Sequence, residues 1–265
     1  MQTENVTVLK QQVLGGDYRV LKLASGKIAA KIKPGQFIHL RVAERSDPVL
    51  RRPFSVFKAD QHSLTILYKV VGKGTGLLAG LKVGDRISII GPLGNGFPIP
   101  GHKVDPVLIT GGYGSAALYL LAERAEKKGT IFMGGETAAD ILCVNDFKRL
   151  GWNVRIATEN GSAGEKGLVT DILTEYFSKG SNRRQIALYA CGPMGMLKAV
   201  SEIAIAGGWK AWLSLDRHMG CGVGACLACV QKIKVDDGQS PTSGWKWARI
   251  CTEGPVFECR EIIWD

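Results

Sequence analysis

The pattern of the sequence changes at Gly101, and this change constrains the fold more than any other feature. The segments before it are short, alternating or β-branched stretches bounded by Gly, Pro and Asp, such as 18–24, 64–71 and 86–92. Such segments predict strands, and several strands without a long helical pattern predict a small closed sheet. We therefore expect residues 1–100 to form an antiparallel β-barrel.

After Gly101, strand and helix patterns alternate. An apolar strand leads through glycines into an amphipathic helical pattern at 115–129, another helix is predicted over 138–151, and a last strand at 210–215. Alternation of this kind predicts a parallel, doubly wound sheet that is covered by helices. We therefore expect residues 101–212 to form an α/β domain.

Three cysteines stand close together in the remaining segment, 213–265. Cys221, Cys226 and Cys229 lie among glycines and alanines, and 21 residues separate Cys229 from Cys251. This C-x4-C-x2-C…C spacing is that of plant-type [2Fe–2S] proteins. Small residues let backbone N–H groups approach the sulfides of such a cluster. We therefore predict that a small third domain holds a [2Fe–2S] cluster.

Other interpretations of these cysteines stay open. A structural zinc ion usually has paired C-x2-4-C units, and only Cys226 and Cys229 have that form. A further alternative is that the cysteines are structural and bind no metal. Cys259 competes with Cys251 as the fourth ligand, but it lies in a strand-like pattern, whereas a Gly-Pro turn follows Cys251. The chain has seven cysteines, an odd number, and they are unevenly placed along the sequence. In a reducing compartment, such a set favours metal or redox chemistry over disulfides.

The positive charge of the chain is concentrated in its first third. The net charge is +10, and residues 1–100 carry 15 Lys and Arg against 6 Asp and Glu. A solvated basic face would explain this, and a nucleic-acid surface would show a Lys/Arg-rich block with interleaved aromatic residues, which this segment lacks. A site for an anionic cofactor fits the distribution better.

Two short motifs in the basic segment predict a flavin site. In Arg52-Pro53-Phe54-Ser55, the Arg can fork onto a pyrophosphate, Phe54 can lie near a flavin ring and Ser55 can bond to it. Leu67-Tyr68-Lys69 follows on a predicted strand, and Gly74-Thr75 opens a short helix whose N-terminus favours phosphate. The alternative for the first motif is a surface turn beside a core Phe.

Two loops of the α/β segment predict a nucleotide crevice. Gly111, Gly112 and Gly114 lie between a strand and a helix, where backbone N–H groups meet phosphates. Cys191-Gly192-Pro193 ends another strand, and open α/β sheets bind ligands at the carboxyl ends of their strands. The alternative role for Cys191 is that of a small core residue, which is also the role expected for Cys143 in its helical pattern.

The remaining polar residues give no catalytic constellation. His39, His62, His102 and His218 occur singly, and surface or packing roles are expected for all four, including His218 near the cysteines. We find no Ser–His–Asp or paired-carboxylate pattern and predict no catalytic side chain.

The order of these motifs resembles the ferredoxin–NADP reductase superfamily. The stretches RRPFSV, LYKVVGKGT, CGPMGML, CGVGACLACV and CTEGPVF are most similar to the electron-transfer subunits of class 1B dihydroorotate dehydrogenases, and the resemblance extends over essentially the whole chain. It implies a flavin barrel (1–100), an NAD-binding α/β domain (101–212) and a cluster domain (213–265).

The resemblance also implies which residues bind the cofactors. FAD would be held by Arg52, Pro53, Phe54, Ser55, Leu67, Tyr68, Lys69, Gly74 and Thr75. NAD would be held by Gly111, Gly112, Gly114, Glu136, Cys191, Gly192 and Pro193. The cluster would be held by Cys221, Cys226, Cys229 and Cys251.

In the family, a catalytic partner subunit binds FMN and oxidises dihydroorotate. Electrons then pass through the [2Fe–2S] cluster to FAD and on to NAD+ in pyrimidine biosynthesis, in a heterotetramer of two subunits of each kind. Two alternatives to this function are a related subunit of a ferredoxin:NADP or sulfide-linked reductase, and a zinc-stapled binding module. No membrane or nucleic-acid partner is expected.

Two departures from the family pattern concern the nucleotide site. The glycine turn reads GGYGSAAL, one residue shorter than is usual, with Tyr113 in the turn and Ala117 where Pro is common. Glu136 follows the second strand of the sheet, where relatives often have an Arg that suits a 2′-phosphate. A carboxylate would repel that phosphate and accept from a ribose hydroxyl instead, so we expect NAD to be preferred over NADP.

Localisation is also predicted from the sequence. No apolar run approaches the roughly 18–20 residues that span a bilayer. The first residues lack a basic segment followed by an apolar one, so we expect no signal peptide and a cytoplasmic protein.

Overall fold

The computed structural model describes residues 1–42, 50–179, 185–235 and 244–264. The described chain folds into a closed barrel, a seven-stranded sheet and a two-stranded hairpin. The predicted combination of an antiparallel barrel, a parallel nucleotide-binding sheet and a small C-terminal unit is confirmed.

The barrel is antiparallel and closes in the order β1-β2-β5-β4-β3-β6. Its strands are β1 (Gln2–Gly15), β2 (Tyr18–Ala24), β3 (Phe37–Leu40), β4 (Arg52–Ala59), β5 (Ser63–Lys69) and β6 (Arg86–Leu93), with helix α1 (Lys73–Ala79) after β5. β4 was not predicted as a strand, because its Arg-Pro opening is typical of a turn. Pro53 is tolerated there because β4 pairs with β5 only from Val56 onward, so Pro53 has a partner strand on one side alone, at His39 of β3.

The central sheet is parallel over six strands, in the order β10-β9-β8-β7-β11-β12. These are β7 (Asp105–Gly111), β8 (Thr130–Gly135), β9 (Asn153–Thr158), β10 (Glu165–Lys166), β11 (Ile186–Cys191) and β12 (Lys210–Ser214). Helices α2 (Ser115–Arg124), α3 (Val144–Arg149), α4 (Val169–Ser178) and α5 (Met194–Ala206) connect them. The strand order reverses between β7 and β11, which is where open α/β sheets bind ligands.

The C-terminal unit leaves the sheet after β12 and returns to it. Its hairpin consists of β13 (Val230–Val235) and β14 (Gly244–Arg249), and β15 (Val256–Glu258) then pairs antiparallel with β12. The cysteine-rich segment is therefore attached to the edge of the sheet at both ends.

Helix α2 lies between the barrel and the sheet, and this position explains its composition. Residues 115–122 are all buried, and the Tyr119 ring lies 4.7 Å from that of Phe57 in β4. A helix covered on both sides is apolar all round. The helix ends at Arg124, so the prediction of a helix reaching Gly129 was wrong; the Lys128 ammonium donates to the last carbonyls, including that of Ala125 at 2.6 Å.

The predicted helix over 138–151 forms only at Val144–Arg149, and its first part is wrong. A single 3-10 turn (Ala138–Asp140) is capped by Thr137, whose hydroxyl accepts from the Ala139 N–H. Cys143 then adopts a φ of 64°, which interrupts helical geometry before α3 begins. Cys143 therefore precedes a helix instead of lying in one, and burial raises the pKa of its thiol to about 12.

Apolar side chains join all three units. One core fills the barrel, a second lies between the barrel and the sheet, and a third joins the sheet to the C-terminal unit. Phe37 and Leu93 of the barrel belong to the third core together with Cys229 and Cys251. Of the helices in the described ranges, none has the length and apolar character needed to cross a membrane.

Candidate functional site

The cysteine-rich loop turns its backbone N–H groups toward one thiol. The Cys221 sulfur accepts from the N–H groups of Val223, Ala225 and Cys226 at 3.4, 3.3 and 3.4 Å. Desolvation opposes ionisation, but these N–H groups and the Cys226 thiol lower the pKa of Cys221 to about 6. The loop therefore favours the thiolate, which is the form that binds metal.

The four predicted ligands meet as two pairs. The Cys226 thiol donates to the Cys221 sulfur, and the Cys251 thiol donates to the Cys229 sulfur; burial and this neighbour raise the pKa of Cys251 to about 12. Across the described ranges, no three His, Cys, Asp or Glu side chains are placed to hold one metal ion. Two pairs of thiols fit a two-iron cluster, in which four cysteines serve two metals, better than a single tetrahedral zinc.

Ion pairs and a hydrogen bond connect the segment that carries Cys251 to the cysteine-rich loop. The Glu253 carboxylate accepts from Lys246 at 2.9 Å and from the Arg249 guanidinium at 3.0 Å, and Arg249 donates to the Gly224 carbonyl at 3.4 Å. The hydrogen bonds from Lys246 and from the Arg249 main chain lower the pKa of Glu253 to about 2. These bonds hold the second pair of cysteines beside the first.

Cys259, the other sequence candidate for fourth ligand, lies elsewhere. It directly follows β15, its N–H donates to the Ala211 carbonyl at 2.8 Å, and its thiol lies 3.5 Å from a Glu258 oxygen. Burial raises the pKa of this thiol to about 11. The structure places Cys251, and not Cys259, next to Cys229.

The two predicted flavin motifs come together at the mouth of the barrel. Arg52 opens β4, and its guanidinium lies so close to Gly74 in α1 that a Cβ atom there would be 3.2 Å from the Arg52 Nε. The Arg52 guanidinium also donates to the Leu50 carbonyl at 2.7 Å, which fixes its direction. A cationic side chain over a glycine is a suitable cradle for a pyrophosphate, so these residues fit FAD.

The Thr75 hydroxyl is used within its own turn and does not point freely into the flavin site. Its oxygen accepts from the N–H groups of Val71 and Gly72 at 2.9 and 3.1 Å. The hydroxyl therefore shapes the turn that begins α1, and any contribution to flavin binding passes through that turn.

The other predicted flavin residues lie on the paired strands of the same barrel wall. Phe54 packs edge to face against Tyr68, with ring centroids 5.7 Å apart, and the Tyr68 hydroxyl accepts from Gln11 at 3.1 Å. Ser55 pairs in register with Phe37, and Leu67 is buried between the barrel and the sheet.

Lys69 contacts the α/β unit at Asp140, next to Tyr18 of the barrel. Neither Tyr18 nor Asp140 was predicted from the sequence to be part of the site. The Tyr18 hydroxyl donates to Asp140 at 2.8 Å, and the Lys69 ammonium lies 3.7 Å from the same carboxylate and 5.1 Å from the Tyr18 ring centre. Burial and Asp140 raise the pKa of Tyr18. Tyr18 and Asp140 are 122 residues apart, and no local signal relates them.

The two predicted nucleotide loops touch at the point where the strand order reverses. Gly111 ends β7, and a Cβ atom there would lie 2.6 Å from Pro193 Cδ; a Cβ at Gly114 would overlap the Cys191 carbonyl. Gly112 has a φ of 53° and turns the chain into α2. Only glycines allow this close contact of backbones, and the contact forms one crevice from the two loops.

Four residues lie along the same edge of the sheet, namely Tyr113, Glu136, Cys191 and Gly192. Tyr113 is half exposed, and Glu136 is exposed directly after β8. Burial, together with Asp216, raises the pKa of Cys191 to about 12, so its thiol is neutral. Gly192, next to Cys191, faces the Gly111 main chain. The predicted nucleotide residues therefore all lie on the carboxyl edge of β7, β8 and β11.

His39 is placed differently from the other histidines. Its side chain is buried between the barrel and the cysteine-rich loop, and a Cβ atom at Gly222 would lie 2.5 Å from its Nδ1. Gly222 itself has a φ of 70°. The sequence predicted a packing or surface role for His39 but gave no sign of what it packs against.

Comparison with known proteins assigns a family to each part of the chain. Residues 5–97 match the oxidoreductase FAD-binding domain, 108–202 match the oxidoreductase NAD-binding domain, and 216–263 match the iron–sulfur cluster binding domain of dihydroorotate dehydrogenase B. All three matches fall on the units that the fold separates.

Whole-length relatives share one description. The electron transfer subunit of dihydroorotate dehydrogenase B (NAD(+)) from Shouchella clausii is 38% identical, covering 97% of both chains. The corresponding subunits of Desulforamulus reducens and Geobacillus sp. are 40% and 36% identical, covering 90% and 99% of this chain and 89% and 99% of their own.

Among solved structures, similarity extends over the whole fold. A chain of an NADH-dependent reduced ferredoxin-NADP oxidoreductase, studied for flavin-based electron bifurcation, superposes with a TM-score of 0.83 at 30% identity, covering 98% of this chain and 90% of that one. A ferredoxin NADP+ reductase from Neisseria gonorrhoeae has a TM-score of 0.65 at 16% identity, covering 78% and 92%, and shares the fold alone.

Proposed function

The chain belongs to the family of electron transfer subunits of dihydroorotate dehydrogenase B, and on that premise we propose that it carries electrons from an FMN-containing catalytic subunit to NAD+. It would do so through a [2Fe–2S] cluster and FAD, in pyrimidine (UMP) biosynthesis. When bound, the cluster supplies one-electron transfer, and FAD supplies the exchange between single electrons and the electron pair that NAD+ accepts.

One observation carries the proposal most directly. Four thiols meet as two pairs, beside a loop whose N–H groups point at Cys221, and the cysteine-bearing segments share an apolar core with the barrel. An iron–sulfur site next to a flavin barrel serves electron transfer and has no evident use in a binding module. We propose Cys221, Cys226, Cys229 and Cys251 as the cluster ligands.

The flavin roles follow from the barrel wall. We propose that Arg52 binds the FAD pyrophosphate beside Gly74, with Thr75 holding the turn that presents their backbone. Phe54 and Tyr68 form the apolar wall. The remaining members of the proposed set position this surface from the same strands: Pro53, Ser55, Leu67 and Lys69.

The nucleotide roles follow from the crevice. We propose that Gly111, Gly112 and Gly114 present backbone N–H groups to the NAD phosphates, opposite Cys191, Gly192 and Pro193. Tyr113 lies in the shortened turn, and half of its surface is exposed. Glu136 would accept from a ribose hydroxyl.

The Glu136 role predicts a preference for NAD. Glu136→Gln should raise kcat/KM for NADPH about fivefold relative to NADH, since a surface charge repulsion of roughly 1 kcal/mol is removed. Glu126→Gln, an exposed carboxylate after α2, is the matched control. Equal wild-type kcat/KM values for NADH and NADPH would contradict the assignment.

The domain limits and the assembly are also proposals. We propose a FAD barrel in 1–100, an NAD domain in 101–212 and a cluster domain in 213–265, with β15 of the last unit completing the sheet of the second. The family implies a catalytic partner; two subunits of each kind, in the cytoplasm, is the assembly we propose.

A spectrum and a reconstitution test the function. Anaerobically purified protein should contain FAD, iron and sulfide, show flavin and [2Fe–2S] absorption, and be inert toward dihydroorotate alone. With the FMN-containing catalytic subunit of the same organism, it should reduce NAD+ when dihydroorotate is added. A colourless protein with stoichiometric zinc, or a coloured one that never couples to dihydroorotate, would overturn the proposal.

A second candidate keeps the cofactors and changes the partner. The NADH-dependent reduced ferredoxin-NADP oxidoreductase chain covers almost the whole of this one at 30% identity. Under this candidate the purified protein has the same spectrum but exchanges electrons with reduced ferredoxin or another reductase subunit instead of with the dihydroorotate-oxidising partner.

A further inference from the structure

One side chain of the barrel supports the cysteine-rich loop. In β3, Ile38 and Leu40 point into the barrel core, so the alternating residues Phe37 and His39 face the C-terminal unit. His39 is 1% exposed. A Cβ atom at Gly222 would lie 2.5 Å from its Nδ1 and 3.0 Å from Cε1 and Cγ. The imidazole therefore occupies the space that a side chain next to Cys221 would need.

The hydrogen-bonding groups of this imidazole face the main chain around Cys221. Both ring nitrogens are buried, and within the described ranges neither has a partner at good hydrogen-bond geometry, although the main chains of Cys221 and Arg51 lie beside the ring. A neutral imidazole always carries one N–H donor and one acceptor, and buried polar groups nearly always have partners. A buried donor that lies beside the Cys221 main chain without a well-aligned partner is explained if its partner belongs to the site that Cys221 carries.

We propose that His39 is a positioning residue for the cluster: its ring holds the Cys221–Gly222 turn against the barrel, and its N–H donates toward the cluster-bearing side of that turn. The proposal rests on the proposed function, because it requires a [2Fe–2S] cluster at Cys221. Hydrogen-bond donors near cluster sulfurs raise the reduction potential, since they stabilise the more negative reduced form. His39 also pairs in register with Pro53 of the flavin motif. The residue that tunes the cluster is thus fixed to the strand beside the flavin.

Redox titration of the holo-subunit tests this role. His39→Leu removes the donor, His39→Gln keeps one, and His62→Gln changes an exposed histidine of the same barrel. We expect His39→Leu to move the cluster potential to more negative values, with part of the shift recovered in His39→Gln. The flavin potential should not move in either variant, and His62→Gln should match wild type. Unchanged cluster potential and EPR signal in fully loaded His39→Leu protein would overturn the proposal.

A second measurement does not depend on the stability of a His39 variant. Protein labelled with 15N-histidine and carrying His218→Gln leaves His39 as the histidine that touches the loop, since His62 and His102 are exposed. Pulsed EPR of the reduced cluster should show a weakly coupled histidine nitrogen, and its absence would refute the proposal. If His39→Leu loses iron but keeps FAD, the positioning role is supported; if it loses both, the labelled protein decides. Wild-type protein without iron and sulfide would instead refute the proposed function.

Discussion

The cluster loop and the flavin–nucleotide crevice are built in opposite ways. Three of the four thiols come from one short stretch, and the backbone of that stretch supplies the hydrogen bonds to Cys221. We use the name flavin–nucleotide crevice for the barrel wall at Tyr18 together with the Gly111–Gly114 turn and the loop after β11. These segments meet only in the folded protein, where a Cβ atom at Gly112 would lie 3.9 Å from the Tyr18 hydroxyl. Local spacing therefore determines the first site, whereas the docking of two units determines the second.

This difference predicts how each site should respond to substitutions. A ligand substitution in the loop should remove the cluster and leave the rest intact. A substitution in the crevice should instead act on binding and on stability together, because its residues also join the barrel to the sheet. The Tyr18–Asp140–Lys69 contacts illustrate this, since they connect the flavin wall to the α/β unit.

The largest effect is expected at the cluster ligands. Cys229→Ser should abolish binding of iron and sulfide and reduce electron exchange with the catalytic partner to background, because a two-iron cluster needs four thiolates. NADH oxidation by an artificial acceptor through FAD should persist. Cys259→Ser is the control and should retain a full cluster. Iron and sulfide analysis with both assays checks this, and an intact cluster in Cys229→Ser would contradict the ligand assignment.

The next effect concerns FAD. Arg52→Ala should weaken FAD binding roughly 10- to 150-fold, since hydrogen bonds from a charged group to a phosphate contribute about 1.5–3 kcal/mol. Iron content should stay at the wild-type level. Titration of the deflavinated protein with FAD measures the change. Arg86→Ala, which removes an exposed cation from the start of β6, should leave the affinity unaltered; equal losses in both variants would mean that only net charge matters.

A smaller effect is expected from crowding the crevice. Gly114→Ala places a methyl group onto the Cys191 carbonyl and should lower the free energy of unfolding by about 1–3 kcal/mol while raising KM for NADH. The cluster EPR signal should not change. Gly101→Ala enters open space and should have little effect. Denaturant unfolding and steady-state kinetics provide the test, and wild-type KM in Gly114→Ala would argue against a nucleotide at this turn.

The smallest effect is expected for the ion pair between the two docked units. Lys58 of β4 donates to Asp146 of α3 at 2.7 Å, and the carboxylate raises the pKa of Lys58 against the effect of its burial. A double-mutant cycle with Lys58→Met and Asp146→Asn should give a coupling energy of about 0.5–1 kcal/mol. The coupling should shrink in 1 M salt, where the Debye length is about 3 Å. A coupling that salt leaves unchanged would point to packing of Lys58 on the Phe57 and Tyr119 rings instead.

The same contrast explains what the sequence could predict. The barrel, the alternating unit and the cysteine loop follow from local periodicity and spacing, and these predictions agree with the structure. The first part of the helix predicted over 138–151 does not form because tertiary contacts override its pattern: Asp140 is bonded to Tyr18 of the barrel, and Cys143 turns the chain before α3. β4 was missed because Arg-Pro is typical of a turn, and Pro53 is tolerated in the strand only because β3 alone pairs with that position.

It was harder to predict what each side chain does within a site than to predict which residues belong to the site. Thr75 was expected at the flavin because of its position, yet its hydroxyl is bonded to its own turn. His39 gave no signal, since its only distinction is the loop against which it packs, 182 residues farther along the chain at Cys221. Contacts between such distant residues leave no periodic trace in one sequence.

The return of the chain to the sheet has a mechanical consequence. The C-terminal unit departs after Ser214 of β12 and re-enters at Val256, the residue paired with Ser214. Rotation of the unit as a whole would have to break this pairing. The cysteine loop therefore stays at a fixed distance from the barrel and does not move between an electron donor and an electron acceptor. Internal electron transfer in such a molecule should proceed at the same rate in water and in viscous solvent.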